Sequence, residues 1–531
     1  MKKLLKLFLI LVVLMFANSG AYAQGNTTSS ISGNVYDKDS QTLPGASILA
    51  THTPSGTRYT ASTDGTGNFR ISNMRVGGPY KIVITFVGFK TFEDSDVYLQ
   101  LGDTKDFKVV LQEESNELQE VVVRTSRDNT FNSQRTGAQT VINSDKIKAL
   151  PSLSRNISDF ARLTPQAQLR GDDVLSIGGQ NNRFNAIYID GAVSNDVFGL
   201  AANGTNGGQT GVSPISIDAI EQFQVSVAPY DVKLSGFAGG AISAITRSGT
   251  NNFEGSAYFF NRDENLAAKT PPSLAGANGR QKLADFSAQT YGVRAGGAIV
   301  KDKLFYFINY EKQDNETPQP FDPSTYTGLS VNRLGELRAK LATYGYDPGS
   351  FENNVRTLVS DKIIGKLDWN INDNHKLSLK HSYVKAENFS PSRSSATSIS
   401  FINGSQLFNS TTNSTALELN SRFGNKFSNN LVVAYTSVLD DRDAAGDPFP
   451  SVQIFDGANQ SIFFGAEGFS TANLLDQKTL TISDNFEINA GMSKITIGTH
   501  NEFSSSRNVF FGNNFGSYRY ATLNDFLNDA K

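Results

Sequence analysis

Few side chains in this sequence are suited to catalysis or metal binding. There is no cysteine, so thiolate nucleophiles, thiolate metal ligands and disulfides are all excluded. Two carboxylate pairs, Asp172-Asp173 and Asp440-Asp441, lie in loop-like sequence without a base, nucleophile or metal cluster beside them. The histidines show no metal-ligand spacing; they are His52, His375, His381 and His500. We therefore expect no enzyme activity, no catalytic residue, no metal site and no cofactor.

The remaining charges of interest flank a Gly- and Asn-rich stretch, SIGGQNNRFNAIYIDG, from Ser176 to Gly191. Ile187 and Ile189 alternate with Tyr188, which is typical of a strand, and Asp190-Gly191 suits the positive φ of a tight hairpin turn. The stretch therefore predicts a turn, a strand and a second turn. The positions that we single out are Arg170, Gly178, Gly179, Arg183, Asp190 and Gly191.

Composition indicates β structure. The 531 residues include 46 Gly, 37 Phe and 18 Tyr but one Trp and four Met, which favours strands over helical bundles. The net charge of −3 gives no electrostatic reason to expect a nucleic-acid partner.

The N-terminus has the pattern of a secretory signal peptide. Three lysines within the first six residues precede an apolar run from Leu7 to Phe16 and the small-residue site Ala21-Tyr22-Ala23. We expect residues 1–23 to be removed by cleavage between Ala23 and Gln24. The mature chain then lies outside the inner membrane, either soluble or inserted in a membrane as a β-barrel.

Residues 30–111 read as a small all-β domain with strands around Ile31–Tyr36, Ala46–Thr51, Tyr80–Phe86 and Phe107–Leu111. Short strands at this spacing predict a β-sandwich. An acidic linker, residues 112–124, follows it. The linker ends in Glu120, Val121, Val122, Val123 and Arg124, a segment that could add as a strand to another protein's sheet or form the first strand of the next domain.

From Asn252 onward the pattern changes to strands with period-2 alternation. Ile363, Leu367 and Trp369 share one face, while Lys366 and Asp368 share the other. One apolar and one polar face suit a wall between lipid and a wet lumen. We count about nine such strands: Phe253–Asn261, Gln289–Val300, Leu304–Lys312, Ile363–Ile371, Lys376–Val384, Thr415–Phe423, Leu431–Val438, Thr479–Ile488 and Lys494–Phe503.

The connections between these strands alternate in length. Short turns are expected at Lys301–Lys303, Asn372–Asn374, Asn425–Asn429 and Ala490–Ser493. Long polar loops are expected at Arg262–Asp285, Gln313–Ser360, Asn388–Thr411 and Asp441–Asp476. This alternation is typical of an outer-membrane barrel whose short turns face the periplasm.

Three motifs carry a family resemblance: GGQNNRFNAIYIDG, SIDAIEQFQV and GFAGGAISAITRSGTNNFEGSAYFF. In this order, over roughly Arg170 to Phe260, they resemble the plug domain and first barrel strand of TonB-dependent outer-membrane receptors, most closely the Oar-like branch. The wording of residues 30–111, ISGNVYDKDSQTLPGASI and YKIVITFVGF among it, resembles a carboxypeptidase regulatory-like, transthyretin-like domain. The implied fold is mainly β: a β-sandwich, an α+β plug domain over residues 125–250, and the first strands of a transmembrane antiparallel β-barrel over 252–531.

The resemblance also implies partners. Glu120–Arg124 becomes the candidate TonB box, which a TonB-type periplasmic energy transducer grips by strand addition; the alternative of a first plug strand stays open. Arg170, Arg183 and Asp190 could pair with barrel-wall charges, contact ligand or be solvated, and solvation is the usual role of a surface charge. The outer membrane lipid surrounds the barrel, and the extracellular ligand and any surface lipoprotein partner cannot be read from the sequence.

The implied function is energised import of an extracellular ligand across the outer membrane of a Gram-negative bacterium. The alternative is an outer-membrane adhesin or surface structural protein of the Oar-like type, because long loops also suit cell contact. Nine strands are an odd number, and receptors of this type close at about twenty-two. We therefore expect this sequence to be an N-terminal fragment of a longer receptor.

Overall fold

The computed structural model describes residues 25–529 except 115–137, 151, 153–154, 171–173, 197, 228–230, 235, 276–278 and 491–492. The predicted signal peptide, its cleavage position Ala23-Gln24 and the candidate TonB box Glu120–Arg124 lie outside the described residues. In the described part of the chain, no helix has both the length and the apolarity needed to cross a bilayer.

The N-terminal domain, called the sandwich below, is built from seven strands. They are β1 (Ser29–Tyr36), β2 (Ser47–His52), β3 (Thr57–Ser62), β4 (Asn68–Met74), β5 (Gly77–Thr85), β6 (Phe92–Leu99) and β7 (Thr104–Val110). One sheet has the order β4-β1-β7 and the other the order β3-β2-β5-β6. Alternate apolar side chains such as Ile31, Ile48, Ile82 and Val97 point between the sheets and are fully buried. The predicted β-sandwich is confirmed, although the sequence pattern indicated only four of its strands.

The plug combines short helices with a five-stranded sheet. Its elements are β8 (Ala138–Asn143), α1 (Ser144–Ala149), α2 (Ile157–Ala161), β9 (Ala167–Arg170), β10 (Val174–Ile177), β11 (Ala186–Ile189), β12 (Ala192–Val193), β13 (Ile220–Val227) and β14 (Gly240–Thr246). The sheet order is β12-β11-β14-β13-β8. Asn143 caps α1 by accepting a hydrogen bond from the Lys146 backbone N–H, as its position before the helix predicts. A core that includes Ile142, Phe160 and Phe223 holds the helices against the sheet.

Nine long strands form one continuous antiparallel sheet, called the wall, in which neighbours along the chain are neighbours in space. They are β15 (Glu254–Asp263), β16 (Ser287–Val300), β17 (Leu304–Pro320), β18 (Asn353–Asn370), β19 (His375–Ser390), β21 (Gln406–Phe423), β22 (Phe427–Ala444), β25 (Asn473–Ala490) and β26 (Ser493–Phe510). Over the described residues the sheet is open, with β15 and β26 at its edges.

The predicted two-faced alternation of the wall is confirmed. On β18, Ile363, Leu367 and Trp369 are 43–48% exposed on the outer face, whereas Ile364 and Lys366 are 2% and 8% exposed and face the plug. An apolar face left uncovered by protein is what a lipid-facing surface requires.

The wall strands are longer than the near-ten residues expected from the sequence. Five of them, β18, β21, β22, β25 and β26, contain 18 residues each. At about 3.3 Å per residue such a strand is roughly 60 Å long. A tilted strand of about 9–11 residues already crosses a bilayer, so these strands continue beyond it.

Long connections do lie opposite the short turns, as predicted, but three of the four predicted spans include residues that belong to wall strands. Parts of residues 313–360, 388–411 and 441–476 extend the wall strands, and other parts join in a small domain called the cap. The cap contains β20 (Ser398–Ser400), β23 (Ser451–Phe455), β24 (Ser461–Phe464), β27 (Ser517–Tyr520), α3 (Leu334–Thr343) and α4 (Leu523–Leu527), with sheet order β20-β24-β23-β27. Apolar residues from separate loops, including Leu337, Ile399, Ile454 and Phe526, share one buried core. The cap lies at the end of the wall opposite the short turns.

Candidate functional site

The turn after β11 carries an aspartate into the space between plug and wall. Asp190 and Gly191 have φ values of +48° and +76°, and they connect β11 to β12 as the predicted tight hairpin. Strand β11 runs parallel to β14, which brings Asp190 beside Thr246 at the same end of the sheet. The Thr246 backbone N–H and hydroxyl donate to the Asp190 carboxylate at 2.9 and 2.8 Å.

Two wall lysines complete this arrangement. Lys366 on β18 and Lys380 on β19 are direct cross-strand partners, and like charges in that position repel each other. The Asp190 carboxylate reduces this repulsion by pairing with both, with N–O distances of 3.7 Å to Lys366 and 3.1 Å to Lys380. All three residues are at most 8% exposed. We call Asp190, Thr246, Lys366 and Lys380 the Asp190 cluster.

Each lysine also donates a hydrogen bond to a backbone carbonyl of the plug. Lys380 donates to the Ile189 carbonyl at 3.2 Å, and Lys366 donates to the Thr246 carbonyl at 3.3 Å. Burial by itself raises the pKa of Asp190, but the attraction of Lys380 and Lys366 and the two Thr246 hydrogen bonds outweigh it and hold that pKa at about 2. The aspartate is therefore ionised at neutral pH.

A second buried cluster lies around Glu311 on β17. Glu311 pairs with its cross-strand neighbour Lys362 at 2.9 Å and accepts hydrogen bonds from Tyr258 on β15 at 2.6 Å and from Ser216 of the plug at 2.9 Å. Plug residue Arg155 approaches the same carboxylate at 4.0 Å and lies over the Tyr258 ring, 4.9 Å from its centroid.

Further polar contacts hold the plug at other heights of the wall. Plug residue Lys233 lies 3.7 Å from Glu487 on β25. Plug residue Gln209 donates to Asp440 on β22 at 2.8 Å. Asp218 of the plug pairs with Arg294 on β16 at 2.8 Å. The wall thus offers both acidic and basic side chains to the plug, and together these non-covalent contacts add to the single chain connection from β14 to β15 in fixing the plug in place.

Comparison with known proteins agrees with this architecture. Residues 30–112 match the carboxypeptidase regulatory-like domain, residues 132–242 the TonB-dependent receptor plug domain, and residues 245–355 an outer membrane beta barrel domain. These matches, in this order, identify a TonB-dependent receptor. It carries an N-terminal regulatory-like domain and resides in the outer membrane of a Gram-negative bacterium.

Two individual proteins illustrate the similarity. The receptor is 28% identical over 388 residues to the TonB-dependent transporter Oar of Myxococcus xanthus, which covers 68% of this chain and 33% of the relative. Its fold is similar to that of the outer membrane transporter YddB from Escherichia coli, with a TM-score of 0.51, 13% identity and coverage of 69% of this chain and 48% of that one. The chain therefore spans about a third of the curated relative and about half of the solved transporter. Both relatives are transporters rather than enzymes, in agreement with the sequence analysis.

The other predicted plug residues of the receptor lie away from the Asp190 cluster. Gly178 and Gly179 form the turn after β10 with φ values of +61° and +79°, and a Cβ at either position would meet open space. Arg170 and Arg183 are exposed, and the Arg183 guanidinium lies beside Gly199 in a neighbouring loop. The structure thus separates the six residues: Asp190 contacts the wall and Gly191 shares its turn, whereas Gly178, Gly179 and Arg183 lie on plug loops and Arg170 ends β9. Solvation, the usual role of a surface charge, does not describe Asp190.

The sequence analysis did not assign roles to the wall residues that hold the plug. Lys366 and Lys380 were placed on the polar face of their strands, but nothing distinguished them from lysines that face only water. The available signal was their charge in the middle of strands that cross a membrane, because an ionisable residue at that depth normally has a partner.

Proposed function

We propose that this receptor imports an extracellular ligand across the outer membrane with force supplied by a TonB-type transducer from the inner membrane. The observation that carries the proposal is a folded plug fixed to a lipid-facing wall by buried ion clusters. A lumen filled in this way conducts nothing until the plug rearranges. The outer membrane holds no nucleotide supply, so the work of rearrangement comes from a partner.

The plug topology offers a point where such work can act. Among the described residues, strand β8 is at the edge of the plug sheet and pairs with β13 alone, in register from Ala138–Val227 to Asn143–Gln222. It is the first plug element after residues 115–137, which contain the candidate TonB box. Tension from that side acts on Ala138 and separates β8 from β13 one residue pair at a time, which needs less force than shearing all six pairs together.

The plug loops toward the cap supply a surface for ligand. Phe184, Phe198 and Leu200 are 46%, 37% and 56% exposed there, and Arg183 lies among them. These loops lie on the cap side because the adjoining segment contacts the upper wall: Asn388 donates to the Thr210 carbonyl at 3.0 Å. Apolar side chains beside a cation suit a ligand with an apolar part and an acidic part.

The cap favours a second candidate function. A folded domain beyond the bilayer, with Leu329 83% exposed at its surface, is also suited to contact with another cell or with the matrix. Adhesion needs no transducer, so the two functions differ in whether the candidate TonB box is used.

Site-specific crosslinking tests the transport proposal. A photo-crosslinking residue at Val122 should capture an inner-membrane transducer in growing cells, because strand addition brings the two backbones within hydrogen-bond distance. The same residue at Val87, which is 94% exposed on the sandwich, is the matched control and should capture none. If no position from Glu120 to Arg124 captures a transducer, and deletion of the transducer also leaves the activity of the receptor unchanged, the adhesion function stands instead.

A further inference from the structure

The sandwich docks against the wall at the periplasmic end. The Asn370 side chain, at the end of β18, donates to the Thr57 hydroxyl at 2.9 Å. The Asn251 backbone N–H donates to the Pro54 carbonyl at 2.8 Å. On the other side, the Asn73 side chain donates to the Asn429 carbonyl at 3.0 Å. The sandwich therefore touches several short-turn ends rather than one.

Tyr59 of the sandwich lies between two wall cations. Lys376 is 4.6 Å and Arg422 is 5.5 Å from the centroid of its ring, and the tyrosine is only 2% exposed. Arg422 also donates to the Thr60 carbonyl at 3.0 Å. Desolvated cation–π contacts of this kind stabilise by about 2 kcal/mol.

The sandwich also covers the periplasmic face of the plug. The Leu101 backbone N–H donates to Gln222 at 2.7 Å, and Gln224 donates to the Leu101 carbonyl at 3.1 Å. Val76 and Leu101 pack against Ile245 of β14 in a small apolar cluster separate from the sandwich core.

The residues that precede the sandwich enter the space between plug and wall. Gly25 lies against the Tyr188 side chain so closely that a Cβ there would be 2.4 Å from the Tyr188 Cβ. The Thr27 hydroxyl donates to Glu418 on β21 at 2.6 Å. Residues 25–28 and the sandwich therefore both lie against the periplasmic side of the plug.

The contacts that dock the sandwich onto the plug and the wall are weaker than the contacts that hold the sandwich itself together. The docking interface consists of scattered single hydrogen bonds, one tyrosine under two cations and three apolar side chains, whereas nineteen buried residues form the sandwich core. Under tension the interface therefore separates before the sandwich unfolds. The sandwich ends near Glu114 and the plug begins at Ala138, so tension on the segment between them acts on both.

We propose that the sandwich is a second gate, which closes the periplasmic mouth at rest and separates as a folded unit before ligand leaves the lumen. The proposal rests on the transport function proposed above. It assigns to the regulatory-like domain a direct obstruction of the exit path, relieved by the same pull that acts on β8.

Cysteine substitution tests docking, because these 531 residues contain no cysteine and any cysteine elsewhere in the full-length receptor can be replaced by serine. In the full-length receptor in nanodiscs, a maleimide should label Val76→Cys at the interface at least tenfold more slowly than the exposed Val87→Cys. Ala50→Cys, in the sandwich core, should stay protected.

The double variant Lys376→Ala/Arg422→Ala should speed labelling of Val76→Cys and leave Ala50→Cys protected. Labelling of Val76→Cys as fast as Val87→Cys in the unaltered background would show that the sandwich is undocked at rest and would overturn the proposal.

Conductance tests obstruction. Thr57→Cys and Asn370→Cys should form a disulfide under mild oxidation, and Val87→Cys with Asn370→Cys should not. The current is measured in planar bilayers at a urea concentration that releases the plug while Ala50→Cys stays protected, so that the sandwich remains folded. Under these conditions the disulfide-linked receptor should conduct no current, and reduction of the disulfide should open it. Failure of the disulfide to form, or equal conductance in the linked and reduced states, refutes the gate. Neither readout involves ligand or transducer, so a negative result leaves the import proposal to its own test.

Discussion

Replacing Asp190 by Asn should destabilise the plug far more than the loss of one surface charge. The substitution keeps the size of the side chain and removes the anion that separates Lys366 from Lys380. Two buried ammonium groups then face each other across β18 and β19 without the carboxylate that contacts both. Breaking a buried ion pair by removing one partner costs about 3–5 kcal/mol.

The pKa of Asp190 gives an independent and lower value for the free energy that the cluster contributes. The carboxyl of Asp190 titrates at about 2 rather than 3.8, and the residue is buried. At about 1.4 kcal/mol per unit, the net preference for the ionised form is roughly 2–3 kcal/mol. The two values differ because the first also includes the repulsion that the lysines experience once they are unpaired. We expect a measured loss of about 2–5 kcal/mol.

Thiol labelling in urea measures this loss. Val225→Cys lies in β13 at 0% exposure and becomes reactive when the plug unfolds, while the wall remains in its micelle or bilayer. Asp145→Asn is the matched control, since Asp145 is an exposed plug carboxylate in the first turn of α1 and should cost at most about 1 kcal/mol. Adding Lys366→Met and Lys380→Met to Asp190→Asn should recover part of the stability. Equal midpoints for Asp190→Asn and Asp145→Asn, or no recovery, would refute the role assigned to the cluster.

Three further predictions concern the N-terminal half of the chain. Val122→Pro should abolish energised uptake and leave ligand binding intact, because proline removes a donor needed for strand addition; unchanged uptake would place the TonB box elsewhere. N-terminal sequencing of outer-membrane material should begin at Gln24, and a retained Met1 would contradict the predicted signal peptide. Burial, with a smaller contribution from Arg75, lowers the pKa of His52, so the unfolded sandwich binds a proton below pH about 6.5 that the folded one does not. The urea midpoint of the sandwich should therefore fall as the pH drops from 7.5 to 5.5 and should do so less in His52→Gln; identical pH dependence in both would exclude His52 as the cause.

The sequence predicted those features that depend on neighbouring residues. The alternation around Lys366 gave the two faces of β18, and the Asp190-Gly191 dipeptide gave the tight turn, because side-chain direction and turn type follow from a few adjacent residues. The order of sandwich, plug and wall came from the same local patterns together with the family resemblance.

The features that the sequence did not predict depend on distant residues. Asp190 meets Lys380 across 190 positions, and no local pattern pairs them. The cap core likewise joins Ile399 of β20 to Phe526 of α4, which lie more than a hundred residues apart. In each loop alone, the few apolar residues among many polar ones resemble irregular sequence, so both the strand extensions and the cap were predicted as loops. The candidate ligand surface at Phe184 had no local signal either, since it depends on which loops meet above the sheet.

The shared core of the cap makes the outermost part of the receptor evolve as one unit. Because separate loops contribute to it, a change in the length of one loop must be accommodated by the others, whereas single surface residues such as Leu329 can vary freely. Substitutions on the outer surface of the cap can therefore accumulate while the ion clusters that hold the plug, which lie at the other side of the cap core, stay unchanged.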